Sequence, residues 1–330
     1  MDWLESLVAG VVQGVTEFLP VSSDGHLAVT QQIFARLRGY SRPAQEDVFF
    51  DVMLHLGTLT AILVAYRKSI AEALRGLQGA EGVASGYQRP DLVHVGLLAF
   101  VATLPLVPDA LFLKKWIDRA FQSPTATGVG FLITAGVLLL TLLQKGGDKG
   151  PDRTTWLDAL LVGLAQAFAP LPGVSRSGLT IAAALGLGFS RPWAVGFSLL
   201  IAVPAILGAS VFEIRKLDPS TLTGDRVAQI VSATILAGLV GFLAISWLVR
   251  VVRAGRLWYF SVYLVALAIA VLATAGTAPP ARDPDGSEVL AGGGRGGPGG
   301  DAPAEPGPLD EIRTRVVDGT QPSGPQPGSP

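Results

Sequence analysis

Six apolar runs dominate this chain, at roughly 48–66, 92–107, 126–144, 193–212, 227–249 and 258–275. A helix needs ~20 mostly apolar residues to cross a bilayer core, with ~17 the practical floor. The run at 92–107 is short and contains Pro105, so its limits are soft. Inside lipid every backbone amide must be satisfied within its own segment, which makes helices the expected elements. Composition agrees: 49% of the 330 residues are hydrophobic and 15% charged, too little charge for a soluble domain of this size. The expected class is an all-α polytopic membrane protein.

Two further apolar segments, 3–19 and 156–171, break at Pro/Ser clusters and resume as 25–37 and 178–189. Each half is too short to cross. Broken helices at membrane depth are tolerated where protein or a wet cavity surrounds them, so both read as re-entrant helical hairpins. The two are copies. WLESLVAGVVQG from Trp3 aligns with WLDALLVGLAQA from Trp156, an offset of 153, with Trp, Leu, Leu, Gly and Gln in register. Each unit then holds one hairpin and three spans. Three is odd, so the second copy is expected upside down, an inverted-topology repeat with its site where the broken helices meet. The expected organisation is a membrane domain over 1–275, with repeat one at about 1–150 and repeat two at about 154–275.

Loop Lys/Arg set the orientation. Arg67, Lys68, Arg75 and Arg89 share one loop, Lys145, Lys149 and Arg153 a second, and Arg250, Arg253 and Arg256 a third. Alternation places all three in the cytoplasm. Lys114, Lys115, Arg119, Arg215 and Lys216 on the opposing loops make the bias modest. The tail from Thr277 carries twelve Gly and eleven Pro, cannot bury a core and is expected to be disordered. MDWLESL lacks a basic n-region, so no cleavable signal peptide is expected. Net charge is −1, which gives no argument for nucleic acid, and the absence of Cys excludes disulfides and thiolate chemistry.

Ionisable residues at membrane depth are costly and mark functional sites. Two polar blocks qualify, QGVTEFLPVSSDGHL at 13–27 and PGVSRSGLT at 172–180. Gln13 and Glu17 are i, i+4 on one helix face. An amide oxygen beside a carboxylate suits a hard divalent cation, Mg²⁺ or Ca²⁺; for Gln13, a plain helix–helix hydrogen bond is an equal alternative. Ser22, Ser23, Asp24 and Gly25 open the second half-helix. They read as an N-cap, and a buried capped N-terminus is also an anion site. Ser175-Arg176-Ser177-Gly178 opens the other, and Arg176 supplies a fork for phosphate oxygens. Two such termini and an Arg point to a multiply charged anion, best a diphosphate. Thr180, one turn on, is a candidate hydroxyl ligand. His26 is the group able to move a proton near neutrality. Asp51 and His55, again i, i+4, are candidate supports for the cation or Arg176. Gln166, the repeat-mate of Gln13, is expected to line the same cavity. His94 reads as interfacial.

QGVTEFLPVSSDGH resembles the Glu/Gln-x-x-x-Glu signature of the undecaprenyl-diphosphate phosphatase family, the bacitracin-resistance type of integral membrane enzyme. PGVSRSGLT resembles that family's Pro-Gly-x-Ser-Arg-Ser-x-x-Thr signature, and FDVMLHLGTLTAI, with Phe50, Asp51, His55 and Gly57, a third stretch. The likeness covers about 1–275 in order and spacing. It implies hydrolysis of a polyprenyl diphosphate lipid to its monophosphate and phosphate, recycling the carrier for cell-wall synthesis. It further implies a divalent cation and a site opening to the outer face of the bacterial cytoplasmic membrane. Matched by position, Gln13 and Glu17 would hold the cation and Arg176 the diphosphate. Ser23 and His26 would do the chemistry, with Ser22, Ser175, Ser177 and Thr180 around the phosphates. Ser23 activated by His26, or a water activated by His26 or Glu17, is the attacking group. Two departures matter: Gln13 replaces a carboxylate, and Asp24 stands where a small neutral residue is expected, either as a cap or as an added ligand. The rival reading is a transporter or flippase of a polyprenyl phosphate or another anion, which needs neither Ser23 nor His26. Oligomeric state is open, and a homodimer is compatible with the pattern.

Overall fold

The computed structural model describes residues 2–38, 48–84, 86–144, 146–214 and 223–275. The expectations for Lys145, Arg215, Lys216 and the tail from Thr277 lie outside the described residues. The elements run α1 (Trp3–Thr16), α2 (Ser23–Arg38), α3 (Val48–Ala65), α4 (Arg67–Leu77), α5 (Arg89–Thr103) and a short α6 (Leu106–Pro108) that leads into a wide π turn. Next come α7 (Lys114–Phe121), α8 (Pro124–Leu140), α9 (Trp156–Ala167), α10 (Arg176–Gly186), α11 (Arg191–Ile214), α12 (Gly224–Arg253) and α13 (Tyr259–Ala275). Among the described residues all regular structure is helical, apart from one isolated parallel bridge between Lys149 and Phe189.

All six apolar runs are helical, as α3, α5, α8, α11, α12 and α13. Three helical stretches are long and apolar enough to cross: Pro124–Leu143, Arg191–Val211 and Gly224–Arg253. Two more qualify only as bent pairs, Phe49–Ala65 with Arg67–Leu77 at 71° and Arg89–Thr103 with Leu106–Leu113 at 40°. The second bend falls at Leu104-Pro105, where a missing amide ends the helix. The sixth run forms α13, which at 17 residues lies at the practical floor. Several helices that can span make this a multi-pass membrane protein.

The long helices show the membrane pattern. α12 buries Ala233, Ala237, Gly241 and Ala244 but leaves Leu239 64% and Leu243 68% exposed. Large apolar side chains face outward and small ones mediate helix contact, as lipid solvent allows. α1 lies along α12, α9 along α5, α3 against α12, and α13 against α8. One end of the bundle gathers basic residues. There His94 Nε2 meets the Thr154 carbonyl at 3.1 Å, Trp193 Nε1 donates to Thr154 Oγ1 at 2.9 Å, and Arg191 donates to the Arg253 carbonyl at 3.1 Å. His94 therefore ties α5 to the 145–155 loop.

Both helical hairpins exist. In α1 the Asp2 side chain caps the Glu5 amide; in α9 Thr155 caps the Asp158 amide, with Asp158 returning the bond. The turns then reverse through left-handed residues, Ser22 at φ 71° and Gly173 at φ 83°. Gly needs no compensation there. Ser22 does, and its carbonyl and hydroxyl are both used by the helix that follows. The arms of each hairpin pack on one another, α1 on α2 and α9 on α10.

Close approach sets the helix spacing. A Cβ on Gly10 would lie 2.6 Å from the Ala233 carbonyl oxygen, so α1 can sit on α12 only without one. Gly163 stands in the same relation to the Ala102 carbonyl, where α9 meets α5. Gly136 of α8 has nothing within 4 Å of such a Cβ. Gly10→Ala should therefore destabilise the purified protein by about 1–3 kcal/mol through forced backbone separation. Gly136→Ala should be neutral or stabilise by up to ~1 kcal/mol, and unfolding midpoints in one detergent compare the two.

Candidate active site

The centre is Glu17, in the turn just after α1. Its side chain is 4% exposed and would be untenable as a lone charge. It is not alone. Arg176, at the first position of α10, donates to Oε1 at 2.7 Å. Gln13 Nε2, one turn back on α1, donates to Oε2 at 2.9 Å, and Ser23 Oγ, opening α2, donates to the same oxygen at 2.7 Å. His55 Nε2 on α3 lies 3.5 Å from Oε2 and 3.7 Å from Asp24 Oδ1. Thus α1, α2, α3 and α10 converge on one carboxylate.

The two hairpin turns touch each other to make this possible. Ser177 Oγ donates to the Leu19 carbonyl at 3.0 Å, across the two turns. A Cβ on Gly25 would lie 2.8 Å from Gly173 Cα, so the approach is nearly backbone to backbone. α8 is the anvil. Thr134 Oγ1 donates to the Gly173 carbonyl and accepts from the Ser175 amide, both at 3.0 Å. Ser22 and Ser175 cap the Gly25 and Gly178 amides at 3.3 and 3.1 Å. The remaining first-turn amides of each helix have no intrahelical acceptor by construction, which suits an anion.

Glu17, Gln13, Ser23, Asp24, His55 and Arg176 are therefore brought together as the sequence suggested. Others are placed differently. Ser23 and His26 do not pair: the Ser23 hydroxyl goes to Glu17, while His26 Nδ1 meets the Ser22 carbonyl and Nε2 the Tyr263 hydroxyl, each at 2.7 Å. Thr180 Oγ1 bonds the Arg176 carbonyl at 2.8 Å and Ser198 Oγ at 2.7 Å, joining α10 to α11. The Ser175 and Ser177 hydroxyls are used within and between the hairpins. Asp51 holds the His55 ring through its carbonyl, which Nδ1 meets at 2.8 Å. Gln166 is fully buried and donates to the Ala102 carbonyl at 3.4 Å, so it belongs to the packing of α9 on α5. Tyr263 and Ser198 escaped the sequence reading. The only signal was a polar tip in an otherwise apolar run.

Glu17 and Asp24 supply two carboxylates that share His55. Gln13 donates its amide nitrogen to Glu17, and its Oε1 is buried with no hydrogen-bond partner among the described residues. Among the described residues no three His, Asp or Glu side chains are arranged to hold a metal. The oxygens gathered here are thus two carboxylates and one amide carbonyl, with both Glu17 oxygens already bonded to Arg176, Gln13 and Ser23.

Fold and site together define a multi-pass helical membrane protein whose charged, hydroxyl-bearing centre is buried where two helical hairpins meet. The chain belongs to the bacitracin resistance protein BacA family, whose sequence model matches residues 6–270. It is 36% identical over 275 residues to the undecaprenyl-diphosphatase of Carboxydothermus hydrogenoformans, an alignment covering 82% of this chain and 97% of that one. Similar values hold for the enzymes of that name from Desulfatibacillum aliphaticivorans (36%, covering 80% and 95%) and Korarchaeum cryptofilum (35%, covering 82% and 99%).

Since Thr180 and Ser198 share one buried hydrogen bond, Thr180→Val and Ser198→Ala should each cost about 1–3 kcal/mol. The double mutant should cost little more than the worse single one. Fully additive losses in unfolding midpoint would show that the two hydroxyls act independently.

Proposed function

We propose that this protein hydrolyses a long-chain polyprenyl diphosphate, of the undecaprenyl class, to the monophosphate and inorganic phosphate. The observation that carries the reading is the Glu17 carboxylate, ion-paired to Arg176 on one oxygen and accepting the Ser23 hydroxyl on the other. An anion-transport site needs a cationic group but not a hydroxyl held on a buried carboxylate. The family and the names of its members support the same assignment.

Glu17 and Asp24, with the Gln13 amide oxygen, would hold a divalent cation, which supplies charge neutralisation and polarisation of phosphate oxygens when bound. The chain's own residues do the rest. Arg176 and the first-turn amides of α2 and α10 bind the diphosphate and stabilise the charge that builds on it. Ser23 Oγ attacks the terminal phosphorus, its proton passing to Glu17 and on to the lipid monophosphate that leaves as the P–O–P bond breaks. Water then attacks the phosphoserine, giving its proton to Glu17, which returns it to the Ser23 oxygen as phosphate leaves.

The reading includes an inverted repeat. Five pairs of residues separated by 153 positions support it. They are the caps Asp2 and Thr155, the close-contact glycines Gly10 and Gly163, the buried Gln13 and Gln166, the caps Ser22 and Ser175, and their targets Gly25 and Gly178. The basic end, with Arg67, Lys68, Arg89, Lys149, Arg191 and Arg253, faces the cytoplasm of a bacterial cell, and the site opens outward.

The test is phosphate release from a C55-prenyl diphosphate by the detergent-purified chain, with Mg²⁺ or Ca²⁺ and with EDTA. Release should require the cation. Arg176→Ala and Glu17→Ala should each lower the rate by at least ~100-fold, with the mutants still folded. Undiminished activity in either mutant, or no release from the folded wild type under any cation, would sink the assignment.

A further inference from the structure

α3 runs with the bundle, packed on α12 and α11. α4 follows it after a single residue, Tyr66, at an angle of 71°. Membrane spans are tilted by ~20° on average, so a turn of that size leaves α4 within about 40° of the membrane plane. Tyr66 at the corner is of the amphipathic type that gathers where lipid meets water.

α4, RKSIAEALRGL, is amphipathic. Ile70, Leu74 and Leu77 fall at i, i+4 and i+7 and form one stripe. All three are exposed, Leu74 at 54% and Leu77 at 49%. The chain packs on another side of the helix. Glu72 accepts the Ala84 amide at 3.2 Å, and Gly76 is buried where a Cβ would collide with the Tyr87 carbonyl. The apolar stripe is left bare among the described residues.

Two observations say what covers it. Leu63 and Val64, the last large side chains of α3 before the turn, are exposed as well. Exposed apolar surface is thus found on both sides of the corner, and on α3 its solvent is lipid. The second observation is charge. α4 carries Arg67, Lys68 and Arg75 against one acid, Glu72, which already accepts from Arg75 at 3.0 Å. Arg67 donates back to the Val64 carbonyl at 2.9 Å, which keeps its guanidinium at the level of the corner. A basic helix with an apolar stripe, lying near the membrane plane, suits a leaflet that carries anionic lipid.

We propose that α4 is an interfacial helix that recognises anionic phospholipid. Ile70, Leu74 and Leu77 sit among the acyl chains at the edge of the bilayer, and Arg67, Lys68 and Arg75 meet the lipid phosphates. The proposal does not depend on the hydrolytic reaction. It adds a lipid-binding surface at the end of the helix that brings His55 to Glu17.

The chain has no Cys, so single introduced cysteines can carry a fluorescent label. The full chain is labelled at Leu74→Cys, Leu77→Cys or Lys68→Cys and reconstituted in phosphatidylcholine vesicles. Leu239→Cys, on the exposed face of α12, marks the response of a label in lipid. The quenchers are aqueous acrylamide and lipids with a nitroxide in the upper acyl chain, bearing either a phosphatidylcholine or a phosphatidylglycerol headgroup. Labels at Leu74→Cys and Leu77→Cys should respond to the nitroxide lipids and be shielded from acrylamide at least ~3-fold relative to Lys68→Cys. Nitroxide phosphatidylglycerol should quench them better than phosphatidylcholine at equal content. Adding Arg67→Gln, Lys68→Gln and Arg75→Gln to Leu74→Cys should weaken that preference by ~5-fold, the worth of even one basic residue at the surface. Acrylamide reaching both stripe positions as freely as Lys68→Cys would place α4 in water and overturn the proposal. Labels reached by neither quencher would mean that protein, a second copy or another segment, covers the stripe, which also overturns it. Equal quenching by the two headgroups, or a preference untouched by the three Gln substitutions, would overturn the recognition of anionic lipid. Two stripe positions report independently, so failure of one variant to fold leaves the other to decide.

Discussion

One buried ion pair organises this molecule. Glu17 and Arg176 lie 159 residues apart and face each other at 2.7 Å, with side chains 4% and 16% exposed. Neither charge could stay at that depth unpaired. Each hairpin contributes one member. The residues at the matching positions of the other copy are Pro170 and Ser23, so the repeat is not symmetric where the chemistry lies. One turn carries an acid and the other leads into an arginine, and their attraction ties the turns together. In the proposed reaction a divalent cation would be held by Glu17 and the diphosphate by Arg176, each in place of the partner the two residues provide for each other.

The pair needs a scaffold that brings two polypeptide turns nearly into backbone contact. Small residues supply it. Gly25 faces Gly173, and Gly130 of α8 admits the Pro172 carbonyl where any Cβ would collide. Thr134 then satisfies both the Gly173 carbonyl and the Ser175 amide with one hydroxyl. The buried turn backbone is thereby paired internally, as a broken helix inside a membrane protein requires. The caps Ser22 and Ser175 do the same for the helices that follow. What reads in sequence as anion-binding serines is at once the means of paying for two buried breaks.

How much of this was legible depends on the range of the interaction. Hairpins, caps and glycines recur locally at a fixed offset, so the alignment at Trp3 and Trp156 exposed them. Glu17 and Arg176 stood out because charge in an apolar run is costly. The direction of a hydroxyl is another matter. Ser23 turning to Glu17, Thr180 turning to Ser198 and His26 turning to Tyr263 depend on neighbours brought in by packing, up to 237 residues away. Hydropathy could not see the 71° bend after Ala65 either, because α4 continues helical with an amphipathic pattern.

Glu17 and Arg176 hold the two hairpins together only if their energies are coupled. A double-mutant cycle with Glu17→Gln, Arg176→Met and the combined variant, read by unfolding of the purified protein in one detergent, measures it. Arg176→Met alone should cost about 3–5 kcal/mol, because it strands a buried carboxylate. Adding Glu17→Gln should recover a large part of that loss, giving a coupling well above ~0.5 kcal/mol. Losses that simply add within that margin would mean that the pair does not hold the hairpins together, and the site would need another foundation.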